Sequence, residues 1–330
     1  MTETDTQTLR IEMNRLGISR KPFVWGVSYD MQHGFITDSY DNQKDMLWHI
    51  GAYGNDVGLP FPDVIPSLKI KATPGRDAYS AMFSKIKKGL LRGDSFLANL
   101  TAVTEVDCSA SFRDVFLSSS APFRLLLGDR FVCFSPEPFV TVSGRHISTF
   151  PMKGTADASI PDAKQSLLDN YKELSEHYTI VDLMRNDLNS VAEEVKVKRF
   201  RYVETIDTPS GGILQTSSEI VGTLPEKMQF RFGDIILPLL PAGSITGAPK
   251  KSTVNLINSA ETADRGWYTG VFGYFDGEVM QTAVMIRCLQ RTADGHIFFH
   301  SGGGITINSN EREEYDELIT KVRLPILQSE

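Results

Sequence analysis

Apolar residues recur along this chain in two rhythms, one near 3.6 and one of two, and together they mark out helices and strands. From Ala78 to Leu91 the positions Tyr79, Met82, Phe83, Ile86 and Leu90 share one helical face, and Gly93 supplies a stop. Ser95 to Val106 alternates and reads as a strand, followed by a short helix near Phe112 to Leu117 and strands at Phe123–Leu127 and Phe131–Val142. A strand carrying Lys153 comes next, then a long helix from about Asp162 to Asn189 and strands through Val195–Thr205 and Gly211–Leu224. The second half predicts a helix near Phe230 to Leu240, a Pro/Gly loop at 241–249 and a helix from Lys250 to about Thr262. Strands at Tyr268–Tyr274, Glu278–Gln290 and His296–His300 and a closing helix from Glu311 to Leu327 complete it. Residues 1–75 carry a weaker signal, with short apolar stretches such as Phe23–Val27 between polar turns.

Runs of strands punctuated by long helices, with hairpin signals at Asp276-Gly277 and Asp294-Gly295, predict an α+β fold of interleaved antiparallel sheets with helices outside. No linker interrupts the pattern, so residues 1–75 read as a short N-terminal segment of the same fold and residues 76–330 as its catalytic part. The net charge of -7, without a block of Lys and Arg, argues against a nucleic-acid partner. Three scattered cysteines, Cys108, Cys133 and Cys288, indicate neither a disulfide framework nor a CxxC metal site. The first ten residues lack the features of a signal peptide and no apolar run reaches membrane-spanning length, so a cytoplasmic location without a membrane partner is expected.

Chemistry concentrates at a few positions. Lys153, in Pro151-Met152-Lys153-Gly154-Thr155, offers an amine at a glycine turn, which burial and neighbouring cations would turn into a nucleophile by lowering its pKa. Glu173 and Glu176 on the long helix, and Glu314 and Glu317 on the last, stand at i, i+3 spacing; brought together they form an all-oxygen nest suited to magnesium. Lys321 shares the stripe of Glu314 and Glu317. Arg287 places a guanidinium in an apolar predicted strand, suited to bidentate carboxylate binding. Two glycine-rich loops offer backbone amides: that from Pro241 to Lys250 runs into a helix, where its amides can cradle an anion, and Gly302-Gly303-Gly304 lets backbone approach a ligand. Glu137, among apolar neighbours in Ser135-Pro136-Glu137-Pro138, would gain a raised pKa on burial and act as a general acid.

These motifs in order resemble the chorismate-utilising enzyme family from about residue 76 onward. They are Gly93-Asp94 with Asn99-Leu100-Thr101, Ser135-Pro136-Glu137, Pro151 to Thr155, Glu176-His177, Arg185-Asn186-Asp187-Leu188, Gly243 to Lys250, Arg265 to Gly270, Ile286-Arg287, and the glycine run leading to Glu314, Glu317 and Lys321. The resemblance implies two sheets packed face to face. A lysine before Gly-Thr is similar to the branch that aminates chorismate at C4 for p-aminobenzoate and folate synthesis, whereas the anthranilate-forming branch usually carries alanine there. It implies magnesium on Glu173, Glu176, Glu314 and Glu317 and substrate contacts from Thr155, Thr246, Tyr268, Arg287, Gly302, Gly303 and Lys321. On the same resemblance Lys153 would attack C2, Glu137 would assist loss of the C4 hydroxyl, and ammonia from a separate glutamine amidotransferase subunit would add at C4. Leu97 stands where water-using relatives carry lysine, which disfavours isochorismate synthesis. The short N-terminal part makes feedback by tryptophan unexpected, and His177 keeps anthranilate synthase as the alternative. A subunit that only binds a glutaminase is disfavoured, since the residues for catalysis survive.

Overall fold

Strands that are apolar on both faces need cover on both sides, and the chain provides it by stacking two antiparallel sheets and laying helices over their outer faces. The computed structural model describes residues 3–208 and 211–326. One sheet has ten strands, in the order Glu3–Thr4, Gly34–Thr37, Phe23–Val27, Val271–Phe275, Val279–Val284, Pro138–Ser143, His146–Thr149, Gly211–Thr223 and Met152–Asp157, with Glu193–Thr208 also paired to Gly211–Thr223. The other has nine, in the order Gly247–Ala248, Leu97–Cys108, Ile297–Ile305, Cys288–Arg291, Phe131–Ser135, Phe123–Leu127, Met46–Ile50 and Tyr53–Gly54, with Leu68–Ala72 also on Leu97–Cys108. Residues before 76 thus contribute strands to both sheets.

Strand alternation divides the core. Val24, Phe35, Phe272 and Tyr274 of the ten-stranded sheet pack against Trp48, Leu125, Phe131 and Cys133 of the other, with the Trp48 and Tyr274 rings 4.5 Å apart. Phe23, Trp25 and Val27, on the opposite face, pack with Leu9 and Met13 of the helix Thr6–Ile18 and with Ile180 and Met184 of the helix Tyr171–Asn189. The helices Arg76–Arg92, Lys250–Ala260 and Glu311–Thr320 bury Tyr79, Ile86, Ile257 and Leu318 on the outside of the nine-stranded sheet. The first of these ends where the sequence places its stop, at Gly93 with φ 82°.

Two predicted strands are each two strands in different sheets. Phe131–Val142 divides into Phe131–Ser135 and Pro138–Ser143, and Glu278–Gln290 into Val279–Val284 and Cys288–Arg291; at each break the chain crosses from one sheet to the other. The crossings lie side by side: the Phe134 N–H donates to the carbonyls of Ile286 and Arg287 at 3.3 and 3.2 Å, and the Val284 N–H to that of Glu137 at 3.2 Å. Other differences are local. The helix Thr6–Ile18 is unannounced by the sequence, and the long helix breaks into Ala163–Asp169 and Tyr171–Asn189. The break is at Asn170, whose side chain caps the second piece by accepting from the Glu173 N–H at 3.1 Å. The helix expected at Phe230–Leu240 shrinks to Phe232–Ile236 followed by a 3₁₀ turn at Leu237–Leu239. Gly302 to Gly304 lie within the strand Ile297–Ile305, opposite Thr101, Leu100 and Asn99, not in a loop. The final helix ends at Thr320, with Lys321 as its cap; Leu327, its expected end, is outside the described residues.

Candidate active site

Lys153 lies on the strand Met152–Asp157, which runs along the helix Tyr171–Asn189 that carries Glu173 and Glu176. The pairing with Gly211–Thr223 shifts register between Met152 and Thr155, and Gly154 adopts φ 90° there. A side chain at 154 would meet the Glu173 carboxylate, because a Cβ would stand 2.9 Å from Glu173 Oε2. Lys153 Nζ lies 2.8 Å from Glu176 Oε2, with the two side chains 42% and 27% exposed. Burial pulls the Lys153 ammonium down, but the hydrogen bond and charge of Glu176 and the charges of Glu173 and Glu317 outweigh it and hold the pKa above the ordinary lysine value. This reverses the sequence expectation of a lowered pKa: the neighbours of Lys153 are anions, and at rest it is a cation.

Glu173 Oε2 is buried without a hydrogen-bond partner. Glu314 and Glu317 reach the region from the helix Glu311–Thr320, where a Cβ on Gly303 would stand 3.3 Å from Glu314 Oε2 and 3.8 Å from Lys321 Nζ. Lys321 binds Glu317 Oε1 at 2.8 Å and the Gly302 carbonyl at 2.7 Å, tying the helix end to the glycine strand. Among the described residues no three carboxylate, His or Cys side chains stand close enough together to form a metal cage.

Glu137 occupies one sheet crossing, its N–H bonded to Ser135 Oγ at 3.0 Å. The protein around its carboxyl pushes the pKa up, and the nearby Ser244 hydroxyl and the Lys153 charge only partly reverse this. Ser244 Oγ itself is buried and stops short of hydrogen-bonding geometry. Arg287 stands at the other crossing with φ 53°, exposed rather than inside a continuous strand. Surrounding protein and then the like charge of Arg323 pull its pKa down. Tyr268 sits in a turn before the strand Val271–Phe275, buried, with its ring 5.1 Å from His300; burial pushes its phenol up. Thr246 is buried, and its hydroxyl donates to the Ala242 carbonyl at 2.9 Å, while Thr155 is exposed on the Lys153 strand.

The loop 241–249 is clamped rather than open as an anion nest. Asp187 Oδ2 accepts from the Gly243 N–H at 3.1 Å, and Lys250 Nζ is 2.8 Å from Asp187 Oδ1 and 2.7 Å from the Leu239 carbonyl. Sequence reading passed over the most heavily bonded ion pair nearby. Arg265 binds Glu261 through Nη2–Oε1 at 2.6 Å and Nε–Oε2 at 2.9 Å, and reaches the carbonyls of Ile245 at 3.0 Å and Asn99 at 2.8 Å. Their i, i+4 spacing was the available signal. His177, fully buried, sits behind Lys153 with Nε2 2.7 Å from Ser218 Oγ; burial and then the Arg201 charge push it down to about 4, so it is neutral.

The arrangement thus sets a lysine against one pair of glutamates, near an acid with a raised pKa, with the charge of Glu317 reaching the lysine from the last helix. The sequence profile of the chorismate binding enzyme family matches residues 16–326. An uncharacterized PabA-like protein of Haemophilus influenzae is 45% identical over 327 residues, covering 99% of each chain. Aminodeoxychorismate synthase component 1 of Escherichia coli is 34% identical over 272 residues, which are 77% of this chain and 58% of that one. Among solved structures, the menaquinone-specific isochorismate synthase of Escherichia coli superimposes with a TM-score of 0.73 at 16% identity, covering 97% of this chain and 82% of that one, a likeness of fold. With the two sheets, the ordered motifs and a profile match over nearly its whole length, this chain belongs to the chorismate binding enzyme family.

Proposed function

We propose that the chain aminates chorismate at C4 with ammonia to give 4-amino-4-deoxychorismate, through a covalent adduct on Lys153. The observation that carries the reading is the placing of Lys153 against Glu176 with Glu137 close enough to feel its charge. Lys153 first leaves Glu176 and gives up its proton to solvent, to which its side chain is 42% exposed, since a cationic amine has no lone pair to donate. Its nitrogen then bonds to C2 as the ring double bond shifts and the C4–O bond breaks. Glu137, protonated through its raised pKa, supplies the proton that lets the C4 hydroxyl depart as water. Ammonia adds at C4, the double bond shifts back, the C2–N bond breaks and returns its electron pair to Lys153, and the new C4 ammonium gives a proton back to Glu137. Arg287, Tyr268 and Lys321 stand as candidates to hold the substrate's carboxylates, with Thr155, Thr246, Gly302 and Gly303 as further contacts.

Glu173, Glu176, Glu314 and Glu317 fit a magnesium ion by donor chemistry: all are carboxylates, and the unpartnered buried Glu173 oxygen is an atom a cation would satisfy. When bound, magnesium supplies positive charge against an anionic substrate carboxylate. An external ammonia source, a glutamine amidotransferase subunit, is what the family resemblance implies, and the cysteines are consistent with it, since burial pushes the thiols of Cys108, Cys133 and Cys288 up. The second reading, anthranilate synthase component I, is favoured by His177, a neutral buried imidazole beside the Lys153 backbone.

The test is mass-resolved product analysis with chorismate, magnesium and excess ammonium salt. Aminodeoxychorismate without released pyruvate is expected, and Lys153→Ala should abolish it. Anthranilate with pyruvate would move the assignment to the second reading. Aminodeoxychorismate formed at an undiminished rate by Lys153→Ala would overturn the covalent route. No turnover even with a glutaminase added would leave a subunit without catalysis.

A further inference from the structure

The lysine that the proposed chemistry needs as a free amine is held by a glutamate that the same chemistry needs for a cation. Lys153 Nζ takes one oxygen of Glu176 at 2.8 Å, and the charges of Glu173 and Glu317 act on the same ammonium. Glu173 keeps a buried oxygen without a partner, pressed toward the backbone at Gly154 immediately after the lysine. Carboxylates gathered from two helices repel one another, so each pair needs a counter-charge: Lys321 supplies it at Glu317, and Lys153 supplies it at Glu176. It supplies one charge to a group built for more, because one glutamate oxygen is left unserved.

We propose that Lys153 is the built-in counter-ion of this carboxylate group, so that a divalent cation and the Lys153 ammonium compete for Glu176. The inference rests on the reading of Glu173 and Glu176 as metal ligands. A divalent ion brings twice the charge and can bind several oxygens at once, whereas the ammonium is committed through a flexible stem to one. A cation that takes Glu176 releases the lysine side chain from its partner at 2.8 Å. The lysine and the metal site are therefore two settings of one ion pair, and Lys153 stays on Glu176 until a divalent ion takes that oxygen.

The competition is read from metal affinity without substrate or turnover. Magnesium is titrated calorimetrically into the full-length protein and into Lys153→Met, which keeps the side-chain length and removes the charge. Because the pair is partly exposed, a gain in magnesium affinity of roughly three- to thirtyfold is expected for Lys153→Met. Lys153→Arg, which keeps the cation, should stay near the parent. The decisive comparison is a double-mutant cycle with Glu176→Gln. If Lys153 competes for Glu176, the gain disappears in the Glu176→Gln background. An equal gain in both backgrounds would overturn the proposal, since only general repulsion between cations would be at work. Unchanged or weaker binding by Lys153→Met, with the parent binding saturably, would overturn it as well. No saturable binding by any of these proteins would remove the metal reading itself, a failure distinguishable from the other two.

Discussion

Two ion pairs of this chain, Arg265 with Glu261 and Lys153 with Glu176, illustrate opposite uses of charge. Arg265 and Glu261 are 2.6 Å apart with side chains 2% and 7% exposed, and their polar atoms are met by backbone and by Thr101, whose N–H and hydroxyl both donate to Glu261 Oε1. Lys153 and Glu176 are 2.8 Å apart, yet the pair is partly open and sits beside a buried glutamate oxygen with no partner. A buried pair in a saturated network is a fixture, since removing either member strands the other. A partly open pair inside a surplus of like charge is poised to exchange partners. Distance alone would not separate the two; the bonding of the remaining atoms does.

The sharpest way to break the comparison is to disable the exchangeable side without touching its shape. Glu137→Gln should lower kcat for amination by about 10²- to 10⁴-fold, with unfolding by urea essentially unchanged. A loss of folding stability comparable to that of an arginine-pair variant would mean that the two regions are both scaffolding. Arg265→Met comes next. It leaves Glu261 buried without its cation and should cost about 3–5 kcal/mol of stability in chemical unfolding, and a loss under 1 kcal/mol would show that Thr101 alone satisfies the carboxylate.

Acid sharpens the comparison further, because each pair has a buried neutral histidine nearby. Burial and Arg201 push His177 down to about 4, and burial and Arg265 do the same to His300. Between about 4 and the usual 6.5 the folded chain binds fewer protons than the unfolded one. Stability therefore rises with pH through that window and is lost as pH falls through it, by a few kcal/mol at most. Urea unfolding at pH 7 and pH 5 should show the decline, with His177→Gln and His300→Gln each flattening part of it. The smallest effect expected is the change in stability of Lys153→Met, within about 1 kcal/mol of the parent, as for other exposed pairs.

The contrast was only half legible in the sequence. Lys153, Glu173, Glu176, Glu314 and Glu317 stand out because their motifs and i, i+3 spacing are local, and the helix Arg76–Arg92 announces itself by period and glycine stop. The charge state of Lys153 was hidden, because it depends on glutamates from two distant helices rather than on residues beside it. The sheet crossings at Glu137 and Arg287 were hidden for a related reason: strands of both sheets are equally apolar, so a run that changes sheets keeps its pattern. Gly302 to Gly304 read as loop by propensity, and pairing with Leu97–Cys108 overrode it. The helix Thr6–Ile18 has a weak apolar stripe and owes its place to packing against Phe23 and Trp25.

The paired crossings amount to a seam. Two residues separate Ser135 from Pro138 and three separate Val284 from Cys288, and main-chain bonds lace one link to the other. The sheets can slide or part there only by bending both links at once. A molecule wedged between them would meet a stiffness set by peptide backbone. The acid and the guanidinium mounted on the seam are thus anchored to one another through main-chain bonds rather than through their side chains.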